Sequence, residues 1–152
     1  MSGFDDAWQA ALAAQNQAIF GYGVLGPRLP GADQPRAAAL QATHESARDA
    51  ISAAMVQVGV TPGHAAADYP SLYPVGNSAQ AHALAARLED ECAAAWRVLY
   101  AASAVDAGHA KIPDPAARRR EAQAGLSSSA VAAARWRKLA GAVPASRAFP
   151  GL

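Results

Sequence analysis

The sequence predicts an all-α fold in which four helices pack together as a bundle. Of the 152 residues, 43 are alanine, which is the strongest helix former. In four long segments apolar residues return every three or four positions, the spacing that keeps one face of an α-helix against a partner. No segment shows the alternation of apolar and polar residues that is typical of a strand. A chain of this length can bury a core without help from a disulfide or a metal.

Helix-breaking and helix-capping residues set the expected ends of the four helices. Gly26-Pro27 and Gly59 end the first two helices, while Asn77 and Asp114 are suited to cap the starts of the last two. The helices are expected at about residues 4–25, 35–58, 78–107 and 115–140.

One stripe of each helix is expected to face the interior. In the first helix this stripe contains a polar residue at its centre, Gln15, which must find a partner once it is desolvated. The expected inner residues are Phe4, Trp8, Ala11, Gln15, Ala18, Tyr22 and Leu25; Leu40, His44, Ala47, Ile51, Met55 and Val58; Leu84, Leu88, Cys92, Ala95 and Leu99; and Leu126, Ser129, Ala133, Trp136 and Ala140.

The connections between the helices indicate the topology. Short connections join the first helix to the second and the third to the fourth, as expected for antiparallel neighbours. Residues 60–76 form a much longer connection with three prolines, and its aromatic residues argue against disorder. We expect this segment to cross the length of the bundle, which is the ferritin-like arrangement. The chain is therefore predicted to be one ferritin-like domain over 1–141, followed by an irregular tail over 142–152.

Five packing motifs, spread over most of the chain, carry a family resemblance. They are Ala18-Ile19-Phe20-Gly21-Tyr22-Gly23-Val24, residues 44–49, residues 69–75, Leu88-Glu89 with Trp96, and Ala134-Arg135-Trp136. Together they resemble an uncharacterised family of ferritin-like domains from actinobacteria. The resemblance implies the fold, but the family has no assigned activity, so it implies no substrate and no cofactor.

The residues at the centre of the bundle bear on whether a metal is bound. A ferritin-like di-iron site takes a Glu from each of two helices and a Glu-x-x-His from each of the other two. Here the first helix offers Gln15, and the well-placed strong ligands are His44 and either Glu89 or Glu91. Residues 122–140 of the fourth helix contain no acid and no histidine. We therefore expect no metal cofactor, the alternative being a single ion held by His44, Glu89 and Glu91.

In place of a metal, the sequence predicts a buried polar cluster. Arg48 lies one turn beyond His44, and we expect its guanidinium to reach Glu89 or Glu91 on the third helix. Arginine suits this role because its planar fork can bind a carboxylate through two hydrogen bonds. The expected members of the cluster are Gln15, His44, Arg48, Glu89, Glu91 and Ser129.

Charge and composition narrow the classes of partner. The chain has 13 basic and 12 acidic residues, a balance that favours neither nucleic acid nor a membrane surface as a partner. Basic residues do gather in the fourth helix, at 118–120 and 135–138, and we interpret them as a solvated face. No apolar run is long enough to span a bilayer, and the acidic Asp5 and Asp6 are unlike a secretory signal, so we expect a cytoplasmic protein.

The leading functional hypothesis is a ferritin-like bundle that has lost its di-iron site. Such a protein would act as a structural, partner-binding or small-ligand-binding module, and we expect it to be a homodimer. The first alternative is a divergent iron or manganese oxidoreductase, and the second is a weak nucleic-acid binder that uses the basic fourth helix. We interpret Cys92 as a small core residue and place His82 at a helix surface or beside a loop.

Overall fold

The computed structural model describes residues 3–105, 112 and 114–152. Over these residues the chain contains no strand, so the prediction of an all-α fold is confirmed. The expected end of the third helix at residue 107 lies outside the described residues, and the other helix bounds differ from those expected by one residue at most. The four α-helices of the described residues are α1 (Gly3–Leu25), α2 (Gln34–Gln57), α3 (Ser78–Val105) and α4 (Pro115–Leu139).

Side-chain and glycine caps account for several of the helix ends. The side chains of Asn77 and Asp114 each accept a hydrogen bond from the backbone N–H three residues further on, at 2.9 and 3.0 Å. Gly141 follows α4 with a φ of 78°, in the left-handed region that favours glycine. Asp33 precedes α2, but its side chain makes no cap and is used elsewhere.

Contacts across the bundle show that α2 and α3 run in the same direction. Asp33, at the start of α2, bonds to His82 near the start of α3. His44, further along α2, bonds to Glu89, which lies further along α3. Two parallel helices cannot be joined by a short turn, so the chain between them must return along the bundle.

The connection between α2 and α3 makes this return along the side of α1. Near its start, the Thr61 carbonyl accepts a hydrogen bond of 2.8 Å from Gln9, which lies near the beginning of α1. Near its end, the ring of Tyr69 lies 5.2 Å, centroid to centroid, from that of Phe20, close to the other end of α1. Leu72, in a short 3-10 helix of this connection, is buried. The crossover is thus held on the bundle by hydrogen bonds near its start and by apolar contacts near its end, while residues 63–68 between them are exposed.

Two apolar clusters fill the interior on either side of a polar level. One cluster contains Trp8 and Ile51, and the other contains Leu25 and Trp136. Cys92 belongs to the first cluster, as expected, and burial, followed by nearby negative charge, raises the pKa of its thiol. A thiol held in its neutral form is a core group rather than a nucleophile.

The tail after α4 lies against α3. Arg97 of α3 donates a 2.6 Å hydrogen bond to the carbonyl of Gly151. Gly151 has a φ of 82°, and a Cβ atom there would come within 2.9 Å of the Ala93 carbonyl oxygen, so only glycine allows this approach. Phe149, by contrast, is exposed. The tail is irregular, and Arg147 also binds Asp90 of α3 at 3.3 Å, so polar contacts of its backbone and of Arg147 hold it on the bundle.

Candidate functional site

A row of hydrogen bonds crosses the middle of the bundle at His44. His44 Nδ1 lies 2.7 Å from Oε1 of Gln15 on α1, and His44 Nε2 lies 3.0 Å from Oε1 of Glu89 on α3. Gln15, His44 and Glu89 are 1%, 3% and 1% exposed. Each side chain points inward because it occupies the inner stripe of its own helix. The structure therefore brings together three of the residues expected to form the polar cluster.

Tyr22 extends this row from Glu89 to α4. Trp136 Nε1 donates a 2.9 Å bond to the Tyr22 hydroxyl, which in turn donates a 2.6 Å bond to Glu89 Oε1. Burial raises the pKa of Tyr22, and the charge of Glu89 raises it further, so the phenol keeps the proton that it donates. The sequence had indicated only apolar packing for Tyr22 and Trp136, because an inward aromatic residue gives no sign of its hydrogen bonds.

The donors and acceptors of this row fit an ion pair between His44 and Glu89. Both ring nitrogens of His44 face oxygen atoms, one from an amide and one from a carboxylate. A ring that donates from both nitrogens carries a positive charge, and the Glu89 carboxylate supplies the opposite charge. The pair therefore leaves no net charge in the interior, where an isolated charge would be very costly.

A small cavity lies beside this row, between α2 and α4. Its volume is about 50 Å³, and Gln15 and the buried Ser129 line it, as do Thr43 and Ser128 at its solvent-facing edge. Nε2 of Gln15 is buried and has no hydrogen-bond partner among the described residues. Such an unpaired group typically costs about 1–3 kcal/mol. The cavity can hold water or a group of a few heavy atoms, which would find an unused donor on its wall.

The side chains at this level do not fit a di-iron centre. α1 supplies the amide of Gln15 and α4 the hydroxyl of Ser129, while the strong ligands His44 and Glu89 are bonded to each other. Within the ranges that the structure covers, no three His, Cys, Asp or Glu side chains are grouped to hold a metal ion. One carboxylate cannot offset the charge of two metal ions, which ferritin-like centres balance with four.

Arg48 and Glu91 lie outside the cluster, so the predicted central ion pair of Arg48 is wrong. Arg48 is 36% exposed and binds Asp49 at 2.8 Å, a hydrogen bond that raises the pKa of the guanidinium. Glu91 is 45% exposed and contacts Gln17 and Arg87 on the surface. Arg48 lies on the flank of the inner stripe, where its long side chain can turn outward and keep its charge in water.

We expect Arg48→Met to change the free energy of unfolding by less than about 0.5 kcal/mol, since the residue makes only a half-exposed ion pair. Urea unfolding followed by circular dichroism measures this change. Asp49→Asn is the matched control, because it removes the same ion pair from the other side and should have an equally small effect. A loss of ~3 kcal/mol for Arg48→Met alone would instead indicate a buried partner.

A second buried histidine–carboxylate pair lies near the starts of α2 and α3. His82 Nε2 lies 2.9 Å from Asp33 Oδ2, and Arg36 binds the other carboxylate oxygen at 2.9 Å. His82 and Asp33 are both buried, so of the two positions expected for His82, at a helix surface or beside a loop, the helix surface is wrong. The sequence does hold a signal, because His82 precedes Glu89 by two helical turns and therefore shares its face.

Ion pairs engage part of the basic charge of α4. Arg118 binds Glu121 at 2.7 Å, and Arg137 binds both carboxylate oxygens of Asp90 at 2.9 Å. The charge of these arginines is then not available to neutralise the phosphates of a nucleic acid, and weak binding of nucleic acid through α4 stays a prediction. In the part of the chain that is described, no helix has the length and apolar character needed to cross a membrane.

Comparison with known proteins identifies a family without an assigned activity. Residues 7–152 match the family described as a domain of unknown function, DUF4439. The crystal structure of a conserved hypothetical protein, Rv2844 from Mycobacterium tuberculosis, is similar, with a TM-score of 0.77 and 31% identity over 90% of this chain and 96% of that chain. No curated protein matches the sequence. Because the family match covers nearly the whole chain, the protein belongs to the DUF4439 family.

Proposed function

We propose that this protein is a ferritin-like bundle without a di-iron centre, and that its interior binds a small polar molecule between α2 and α4. The parallel course of α2 and α3, joined by a return along α1, supports the ferritin-like architecture. The amide of Gln15 and the hydroxyl of Ser129, at a level where iron would need carboxylates, support the loss of the metal centre.

The unpaired Nε2 of Gln15 is the observation that carries this proposal. Folded proteins pair almost all of their buried N–H groups, so an unpaired one on a cavity wall is a candidate recognition group. The Oε1 atom of the same amide is held by His44, which fixes the side chain. A ligand with an acceptor oxygen, entering past Thr43 and Ser128, would satisfy this donor.

Formamide is a suitable probe, since it has three heavy atoms and a carbonyl oxygen that can accept from Gln15. We expect a formamide titration to shift the side-chain amide NMR signals of Gln15, which Gln15→Met identifies by their disappearance. Gln15→Met also removes the donor, so formamide binding, followed by the NMR signals of the His44 ring, should weaken at least ~10-fold.

Gln123→Met is the matched control for the loss of an amide, because Gln123 is exposed on α4, and it should bind formamide as the parent does. Unshifted Gln15 signals at saturating formamide would contradict the proposal.

Elemental analysis of protein grown with added iron and manganese tests the oxidoreductase alternative, which predicts stoichiometric metal that is lost in His44→Ala. The expected homodimer stays a prediction, which light scattering can test.

A further inference from the structure

We propose that this protein also binds a small carboxylic acid with a compact apolar body, at a second site that goes beyond the interior site proposed above. The acid would occupy a pocket on the outer side of the cavity, with a volume of about 170 Å³. Leu40 and Thr43 line both spaces, so the pocket leads toward the cavity that holds the Gln15 donor. The lining residues of the pocket are Arg36, Ala39, Leu40, Thr43, Ala132 and Arg135.

The charge of this pocket favours an anion. Arg36, from α2, is held in place by its 2.9 Å bond to Asp33 and by its position 5.9 Å over the Trp136 ring. Arg135, from α4, is exposed and forms no ion pair with another described residue. A guanidinium fork can bind a carboxylate through two parallel hydrogen bonds, so Arg135 is the group we assign to the acid.

The apolar side chains that line the pocket between the two arginines indicate that the rest of the ligand is apolar. Ala39, Leu40 and Ala132 present apolar surface there. An apolar cavity of about 150 Å³ is enough to take up benzene, so this pocket can hold one ring or a branched chain of similar size. An inorganic anion would leave the apolar wall uncovered, and a long acyl chain would exceed the volume.

Benzoate tests this proposal, because it combines a carboxylate with one compact apolar ring. Calorimetric titration of the full chain should show saturable binding of one benzoate. The neutral isostere benzamide should bind at least ~10-fold more weakly, and Arg135→Gln should weaken benzoate binding by a similar factor. Arg120→Gln is the matched control, because it removes the same charge from an exposed position of α4 outside the pocket, and it should leave benzoate binding unchanged.

Three results would overturn the assignment of a carboxylic acid. These are the absence of benzoate binding, equal binding by the parent and Arg135→Gln, and equal weakening by Arg120→Gln, which would indicate general charge attraction. The formamide titration at Gln15 is independent of Arg135, so the two proposals can fail separately. If formamide shifts the Gln15 signals but benzoate does not bind, the interior site is supported and the carboxylic acid is rejected as a ligand. If benzoate binding depends on Arg135 but the Gln15 signals do not respond to formamide, the outer pocket is supported and the interior site is rejected.

Discussion

Glu89→Ala is expected to lower the free energy of unfolding by about 3–5 kcal/mol, the usual cost of removing one partner of a buried ion pair. The Glu89 carboxylate receives hydrogen bonds from Tyr22 and His44 in the interior of the bundle. Its loss leaves a buried imidazole N–H and a buried phenol O–H without their acceptor. Guanidinium-induced unfolding, followed by circular dichroism, measures the difference from the parent.

Two further variants separate the ion pair from other effects of this substitution. Glu91→Ala removes a half-exposed carboxylate two residues further along the same helix, so we expect a loss below about 1 kcal/mol. Glu89→Gln keeps the size of the side chain and removes its charge, so a loss close to that of Glu89→Ala would assign the cost to charge rather than to packing. If Glu89→Ala and Glu91→Ala were equally stable, the buried pair would have no energetic role.

Tyr22→Phe is expected to destabilise the protein by about 2–4 kcal/mol, although it removes a single oxygen atom. That oxygen accepts a hydrogen bond from Trp136 and donates one to Glu89, so its loss leaves one buried donor unpaired and weakens the stabilisation of a buried carboxylate. The same unfolding measurement reports the change. The apolar ring is retained, so the loss of packing is small.

Tyr100→Phe is the matched control for this substitution, because Tyr100 lies on α3 with its side chain half exposed. We expect its free energy of unfolding to change by less than about 0.5 kcal/mol. A Tyr22→Phe protein as stable as Tyr100→Phe would show that the row of hydrogen bonds from Trp136 to Glu89 contributes nothing to stability.

The fold was largely predictable because local signals and packing agree along this chain. Caps at Asn77 and Asp114 and the periodic apolar stripes define the helices. The length of the connection between α2 and α3 implies that it crosses from one end of the bundle to the other. The path of that connection along α1 was not predictable, since it depends on contacts such as those of Gln9 and Tyr69, which lie far apart in the sequence.

The candidate site was predictable only where a polar residue interrupts an apolar stripe. Gln15, His44 and Ser129 stand at such positions. Arg48 was misplaced because helical spacing fixes the direction of the Cβ atom but not the course of a long side chain, which turned to its neighbour Asp49. The hydrogen bond between Tyr22 and Glu89 was missed because a bond between residues far apart in the sequence does not change the spacing of the apolar residues.

The parallel course of α2 and α3 also affects how the chain can reach its folded state. α3 and α4 are sequence neighbours that pack side by side, so their contacts close a short loop. The contacts of α2 with α3 close the longer loop of the return segment, which costs more entropy. The α1–α2 and α3–α4 hairpins are therefore the least costly nuclei, and the contacts of α2 with α3 are expected to form after them.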